Sequence, residues 1–116
     1  AVRTTRSSGL GPMSILGRLA AVRAKRAGLL TTQSFAGFSH SGSLTEPELL
    51  KLIDSISSSS QSVEIGCHPG AVHDPDRARY DWSYHWAEEA AGLRSTTVSE
   101  RIASAGFQLG TFGDLR

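Results

Sequence analysis

The sequence predicts an α/β protein, rich in helix and short of strands. Three observations carry that reading: apolar residues at helical spacing in several stretches, one well-marked strand among them, and a globular composition throughout. Of the 116 residues, 39% are hydrophobic and 20% charged, which suits one small domain or a piece of a larger one. Helices that separate strands point to parallel pairing. A parallel strand buried on both faces needs neighbours, and one good strand with two doubtful stubs does not supply them. The expectation is therefore part of a larger sheet. The first residue, Ala1, in place of Met, agrees with an interior cut or a processed end.

Residues 1–3 offer a strand stub and Ser7 to Pro12 a loop. From Met13 to Ala27, Leu16, Leu19, Ala20 and Val22/Arg23 recur at helical spacing, and Gly28 stands where a helix-ending glycine belongs. Leu29 to Gly42 has no clear period and reads as loop with room for a short extended piece. Thr45-Glu46-Pro47-Glu48 is a helix start: Thr45 as cap, Pro47 in the first turn, Glu48 completing a capping box. Leu49, Ile53 and Ile56 form its inner stripe, and the serine-rich 57–62 links it onward.

Val63, Ile65 and Cys67 then alternate with Glu64, Gly66 and His68, the period of a strand, until Pro69-Gly70 ends it. Ala71 to Arg79 reads as loop. Tyr80 to Leu93 reads as helix, with Trp82, Trp86, Ala90 and Leu93 on one stripe. A second helix follows from Thr97 to Ala105, with Val98, Ile102 and Ala105 inward and Gly106 past its end. Phe107-Gln108-Leu109 is a candidate last strand.

Several function classes are disfavoured. A formal net charge of +1 gives no reason to expect nucleic acid. No apolar run approaches the ~20 residues of a membrane span. The one cysteine, Cys67, excludes an internal disulfide, and a reducing cytoplasm is the expected location. All 11 acidic residues lie from Glu46 onward, so the basic N-terminal stretch reads either as a transit peptide or as a basic surface helix. Phosphate loops, nucleophile elbows and zinc-protease motifs are missing.

His68 is the leading candidate residue. It closes a strand, where α/β sheets and barrels place their chemistry, and Pro69-Gly70 stiffens and opens the turn behind it. The plain alternative is a strand-end histidine bonded to nearby backbone. Glu64 shares its face at i and i+4, roughly 13 Å away, suited to substrate or to an internal salt bridge. His40, in Phe38-Ser39-His40-Ser41-Gly42, is a candidate for substrate contact or an ordinary turn residue. His73, Asp74 and Asp76 suggest metal ligands or Asp-Pro-Asp turn chemistry. The two tryptophans read as core packing before a sugar platform.

Gly37-Phe38 with Ser41-Gly42 and Thr45, the leucine-rich helix, and Val63-Glu64-Ile65 running into His68-Pro69-Gly70 together resemble the YdjC-like family, the ChbG/HpnK carbohydrate deacetylases. Glu89 and Leu93, then Ser95, Val98, Ile102, Gly106, Leu109 and Asp114-Leu115 are similar to its closing elements. The glycine-ended turn at 37–42 looks closest to the hopanoid-associated branch. The resemblance implies that residues 1–116 are the C-terminal portion of one distorted (β/α) TIM-like barrel domain. It implies a metal-dependent hydrolase that removes the acetyl group of an N-acetylated amino sugar, using a divalent metal (Mg or Zn) held by an aspartate and two histidines. Those ligands, from the N-terminal Asp-Asp motif and mid-barrel, are not in this chain, so no metal ligand is assigned here. The arginine common in the helix after the His-Pro-Gly loop is not clearly matched either. His68 would be catalytic, with Glu64, His40 and Arg3 as pocket residues. The expected partner is the N-acetylated sugar, with homo-oligomer formation left open. The competing class is a non-catalytic sugar- or partner-binding half-barrel.

Overall fold

Helix ends are written plainly into the backbone. Helix α1, Pro12–Arg26, stops at Gly28 (φ 68°), with Gly28 N–H donating to Lys25 O at 3.1 Å and Leu29 N–H to Ala24 O at 2.9 Å. Left-handed backbone costs glycine nothing, and these two bonds satisfy carbonyls the helix would otherwise leave bare. The computed structural model describes residues 12–56, 60 and 62–115, with backbone only for 12–14. Arg3 and the stub expected at residues 1–3 lie outside the described residues, as does most of the serine link.

The chain divides into two units. One draws on residues 1–36, 58–65 and 109–116, the other on 37–57 and 66–108. In the first, α1 is followed by strand β1, Ser34–Ala36, which pairs in parallel with β2, Val63–Ile65. Ser34 stands opposite Val63, Phe35 opposite Glu64, and Ala36 opposite Ile65. Parallel pairing across an intervening helix is the arrangement the helix–strand order predicts. The short extended piece allowed within Leu29–Gly42 is thus β1. The apolar spacing of α1 is real, yet Leu16 (59% exposed), Leu19 and Val22 stand open, while Ala24 is its buried side chain.

The second unit is helical. Helix α2, Glu46–Ser55, buries Leu49 and Ile53, and packs against α3, Trp86–Leu93, and α4, Thr96–Ser104. Thr45 stands at the cap position and Pro47 in the first turn, but no side-chain cap bond forms. Glu48 turns instead to Lys51, Nζ to Oε1 2.6 Å, so the expected capping box is absent. Gly92 is buried where α3 meets the start of α2; a methyl group there would stand 3.0 Å from Glu46 N. Helix α4 ends at Gly106 in the same manner as α1, and buries Val98 while Ala105 is exposed, contrary to the expected inward stripe. The molecule is therefore mixed α/β, helix-rich, with two parallel strands among the described residues, compatible with part of an α/β fold.

Further expectations are corrected. Helix α3 begins at Trp86, not Tyr80, because Ser83 takes a left-handed conformation (φ 53°) and the stretch before Trp86 is non-helical. Its buried positions are Glu89 and Gly92, one step from the stripe of Ala90 and Leu93. Strand β2 ends at Ile65, short of Cys67 and His68. Phe107-Gln108-Leu109 forms no strand, and Leu109 is 75% exposed.

Candidate functional site

The most telling residue of the helical unit is one that the sequence marks only as part of the family resemblance, with no role attached. Glu89 is fully buried on α3, 0% exposed. A buried carboxyl is costly unless its oxygens are bonded. Here both are: Leu44 N–H donates to Oε1 at 3.1 Å, and His68 N–H donates to Oε2 at 2.6 Å. One side chain thus ties the segment following His40 to the segment carrying His68. Neither amide has a helix or ladder partner, since each sits in irregular chain. The carboxyl supplies what secondary structure cannot, and so fixes where the backbone of His68 lies.

The His68 ring meets Tyr84 edge to face, centroids 5.1 Å apart at 67°. Its Nδ1 is buried with no hydrogen-bond partner among the described residues. A buried imidazole nitrogen left unsatisfied costs free energy, and such atoms concentrate where a ligand or a proton is handled. Glu89 thus holds the backbone of His68, Tyr84 flanks its ring, and the buried Nδ1 is left without a partner among the described residues.

Tyr84 is itself seated. A methyl group at Gly42 would fall inside its ring, so only glycine lets that loop lie against it. His85 follows, its backbone N–H donating to Gly42 O at 2.7 Å and its Nδ1 3.2 Å from the same oxygen. On the other side Gly70 N–H donates to Trp86 O at 2.9 Å, and Gly70 lies against the Trp86 side chain. Gly70, expected to open the turn behind His68, therefore admits an aromatic side chain of this same chain, as Gly42 does.

The remaining candidates fall as follows. His40 ends a 3-10 turn, Phe38–His40, with its Nδ1 3.1 Å from Ser39 Oγ. The Lys51 hydrogen bond and charge hold the Glu48 carboxyl below the usual glutamate range, and the His40 ring adds a smaller pull in the same direction. Glu64 lies on β2 in the strand-bearing unit, half-buried and in register with Phe35. Cys67 is half-buried and forms no disulfide. His73, Asp74 and Asp76 are exposed, and Asp74 accepts from Asp76 N–H at 2.9 Å, the turn chemistry that Asp-Pro-Asp favours. Among the described residues no three His, Cys, Asp or Glu side chains stand close enough to hold a metal ion, so these residues do not by themselves fit the expected metal site. No helix among them is long and apolar enough to cross a membrane.

No curated protein and no solved structure matches the sequence significantly. The profile of YdjC-like proteins, however, matches residues 3–104, a span that includes His40, Glu64, His68, Tyr84 and Glu89. That family is related to carbohydrate deacetylases, which suggests a hydrolase. A match over most of the chain settles the matter at family level: the chain belongs to the YdjC-like family.

Proposed function

We propose that the chain is the His68-bearing C-terminal part of a barrel enzyme that hydrolyses the N-acetyl amide of an amino sugar. The observation that carries the reading is the buried, unpartnered Nδ1 of His68, in a chain of the YdjC-like family. Hydrolysis adds water across the amide: an oxygen–carbon bond forms, the carbon–nitrogen bond breaks, and the departing amine must gain a proton. His68 Nδ1 is the atom assigned to deliver it. Glu89 acts behind it, holding the His68 backbone so that the ring meets the departing nitrogen. Glu64, His40 and Arg3 are assigned to the sugar pocket. The divalent metal, magnesium or zinc, and its ligands are assigned to residues outside this chain.

Two features support the reading of one barrel portion. The two short strands among the described residues are too few for a stable parallel sheet. The open apolar side chains Leu16, Leu19 and Val22 on α1 suit a helix that packs against further sheet. The test is amine release from an N-acetylated sugar by the complete natural protein that carries this chain. His68→Ala should lower turnover by about a hundredfold or more while metal content stays near wild type. Turnover close to wild type in that variant would overturn the assignment.

A further inference from the structure

Glu89 fixes the backbone of His68 but not its ring. Beyond the bonded amide two side-chain torsions remain, and for an imidazole the second is broad and roughly two-fold. A half-turn about it exchanges Nδ1 with a ring carbon, which can neither give nor take a proton. The buried Nδ1 therefore keeps its place only if a neighbour stops that rotation. Among the described residues the ring against His68 is Tyr84, edge to face at 5.1 Å and 67°. Tyr84 is half-buried and firmly held for a residue outside regular structure. Trp86 and Trp82 lie 5.0 and 5.6 Å from it between centroids. Gly42 lies on its ring, and His85, the next residue, donates its N–H to Gly42 O at 2.7 Å. Ser83, the residue before it, takes φ 53°, the one positive φ outside glycine among the described residues. Such backbone is costly and persists where its surroundings over-determine it.

We propose that Tyr84 is a positioning residue: its ring sets the rotation of the His68 imidazole, and the turn at Gly42 sets the ring of Tyr84. This rests on the acid/base reading of His68 and deepens it. The division of labour follows from what each contact can reach. Glu89 grips the amide and so fixes where the histidine stands; Tyr84 meets the ring and so fixes which atom it presents. A phenol ring suits the task, being flat, stiff and limited to two torsions. The contact is ring to ring, so the work falls to the ring and not to the hydroxyl. An aromatic pair shifts the balance between two ring orientations by about fivefold. The Gly42 turn also carries His40, so one tyrosine joins two residues assigned to the same site.

The test uses the complete natural protein, with N-acetylglucosamine as the turnover probe and NMR relaxation of the His68 ring. The His68 signals are those that vanish in His68→Ala, and ring order reads the contact whether or not the probe is turned over. Tyr84→Phe keeps the ring and should hold both ring order and kcat within about twofold of wild type. Tyr84→Leu should loosen the His68 ring and lower kcat about fivefold, with KM little changed. Gly42→Ala leaves Tyr84 in place but drives a methyl group into its ring, and should act in the same direction. Tyr84→Met fills the space without a flat ring and takes the place of Tyr84→Leu should that variant fail to fold. A His68 ring as ordered without the aromatic as with it overturns the proposal. So does a rise in KM at constant kcat, which would make Tyr84 a substrate contact. A loss in Tyr84→Phe as large as in Tyr84→Leu overturns it too, since the hydroxyl would then do the work. The two readings fail separately: turnover that depends on His68 but not on Tyr84 removes the positioning role alone. Ring order that depends on Tyr84, with turnover indifferent to His68→Ala, removes the acid/base assignment alone.

Discussion

Glu89 carries two backbone amides on one buried carboxyl, so its replacement separates packing from bonding. Glu89→Leu leaves both amides without an acceptor and should cost about 3 kcal/mol in denaturant unfolding. Glu89→Gln keeps one carbonyl oxygen and should cost about 1 kcal/mol. If Glu89 positions His68 and does not merely stabilise, the Gln variant should also lower kcat several-fold with KM little changed. A variant with normal kcat would reduce Glu89 to a structural role. A second residue-scale expectation concerns acid. Thr111 donates its N–H and hydroxyl to Asp114 Oδ2, at 2.6 and 2.8 Å, closing a capping box around the final 3-10 turn, Phe112–Asp114. The backbone bond first, and then the hydroxyl, hold the Asp114 carboxyl below its ordinary value of 3.8. A depressed carboxyl binds its proton less readily folded than unfolded. The turn's contribution is therefore complete above that ordinary value and is lost as pH falls through the lower, folded one. Carboxyl-carbon NMR should show Asp114 titrating early in Thr111→Ala, back toward 3.8; an unmoved titration would contradict the bond.

Helices were legible in the sequence wherever start and stop signals agreed. Thr45 with Pro47 marks the start of α2, and Gly28 and Gly106 mark the ends of α1 and α4, because caps are local chemistry. Helix α3 was misjudged for a physical reason. Tyr80, Trp82, Tyr84 and Trp86 sit at every second position, while Trp82, Trp86, Ala90 and Leu93 fit a helix; one sequence satisfies both periods. The choice fell to Gly42, which seats Tyr84 and accepts from His85, 43 residues away in sequence. Helix packing makes its own prediction. Gly92→Ala pushes a methyl group to 3.0 Å from Glu46 N, backbone that cannot swing aside, and should cost about 1–3 kcal/mol despite the higher helix propensity of alanine. A stabilised variant in thermal unfolding would show that α2 can shift to make room. By contrast Arg101 and Asp54 join α4 to α2 at 3.1 Å with both side chains about half exposed, and their removal should change stability by less than about 1 kcal/mol.

For the molecule as a whole, the open face of α1 is the informative feature. Leu19 is 57% exposed. Leu19→Glu in the isolated chain should alter stability by no more than about 0.5 kcal/mol, since it removes little buried surface. In the complete natural protein the same change should cost about 2 kcal/mol or more, if further sheet covers that face. Equal, small effects in both settings would refute a barrel portion. The isolated chain should release no amine from an acetylated sugar, and release with bound metal in stoichiometric amount would refute that as well.

Class and family were determined by the sequence alone. Apolar periods, capping residues and the ordered string from Gly37 through His68-Pro69-Gly70 are local, and local chemistry is readable without coordinates. His68 stands out as a candidate in the same way, from its place just after a strand. Its surroundings do not. The burial of Glu89 carries no local signal, since it is one acid among 11 on a sequence where acids normally face water. Only the fold shows it buried between Leu44 and His68, and only the fold turns Trp82 from a helix stripe into an exposed ring two steps from the histidine. Both depend on residues far apart in the chain meeting in space, where one amide lacks a partner and one glycine leaves room.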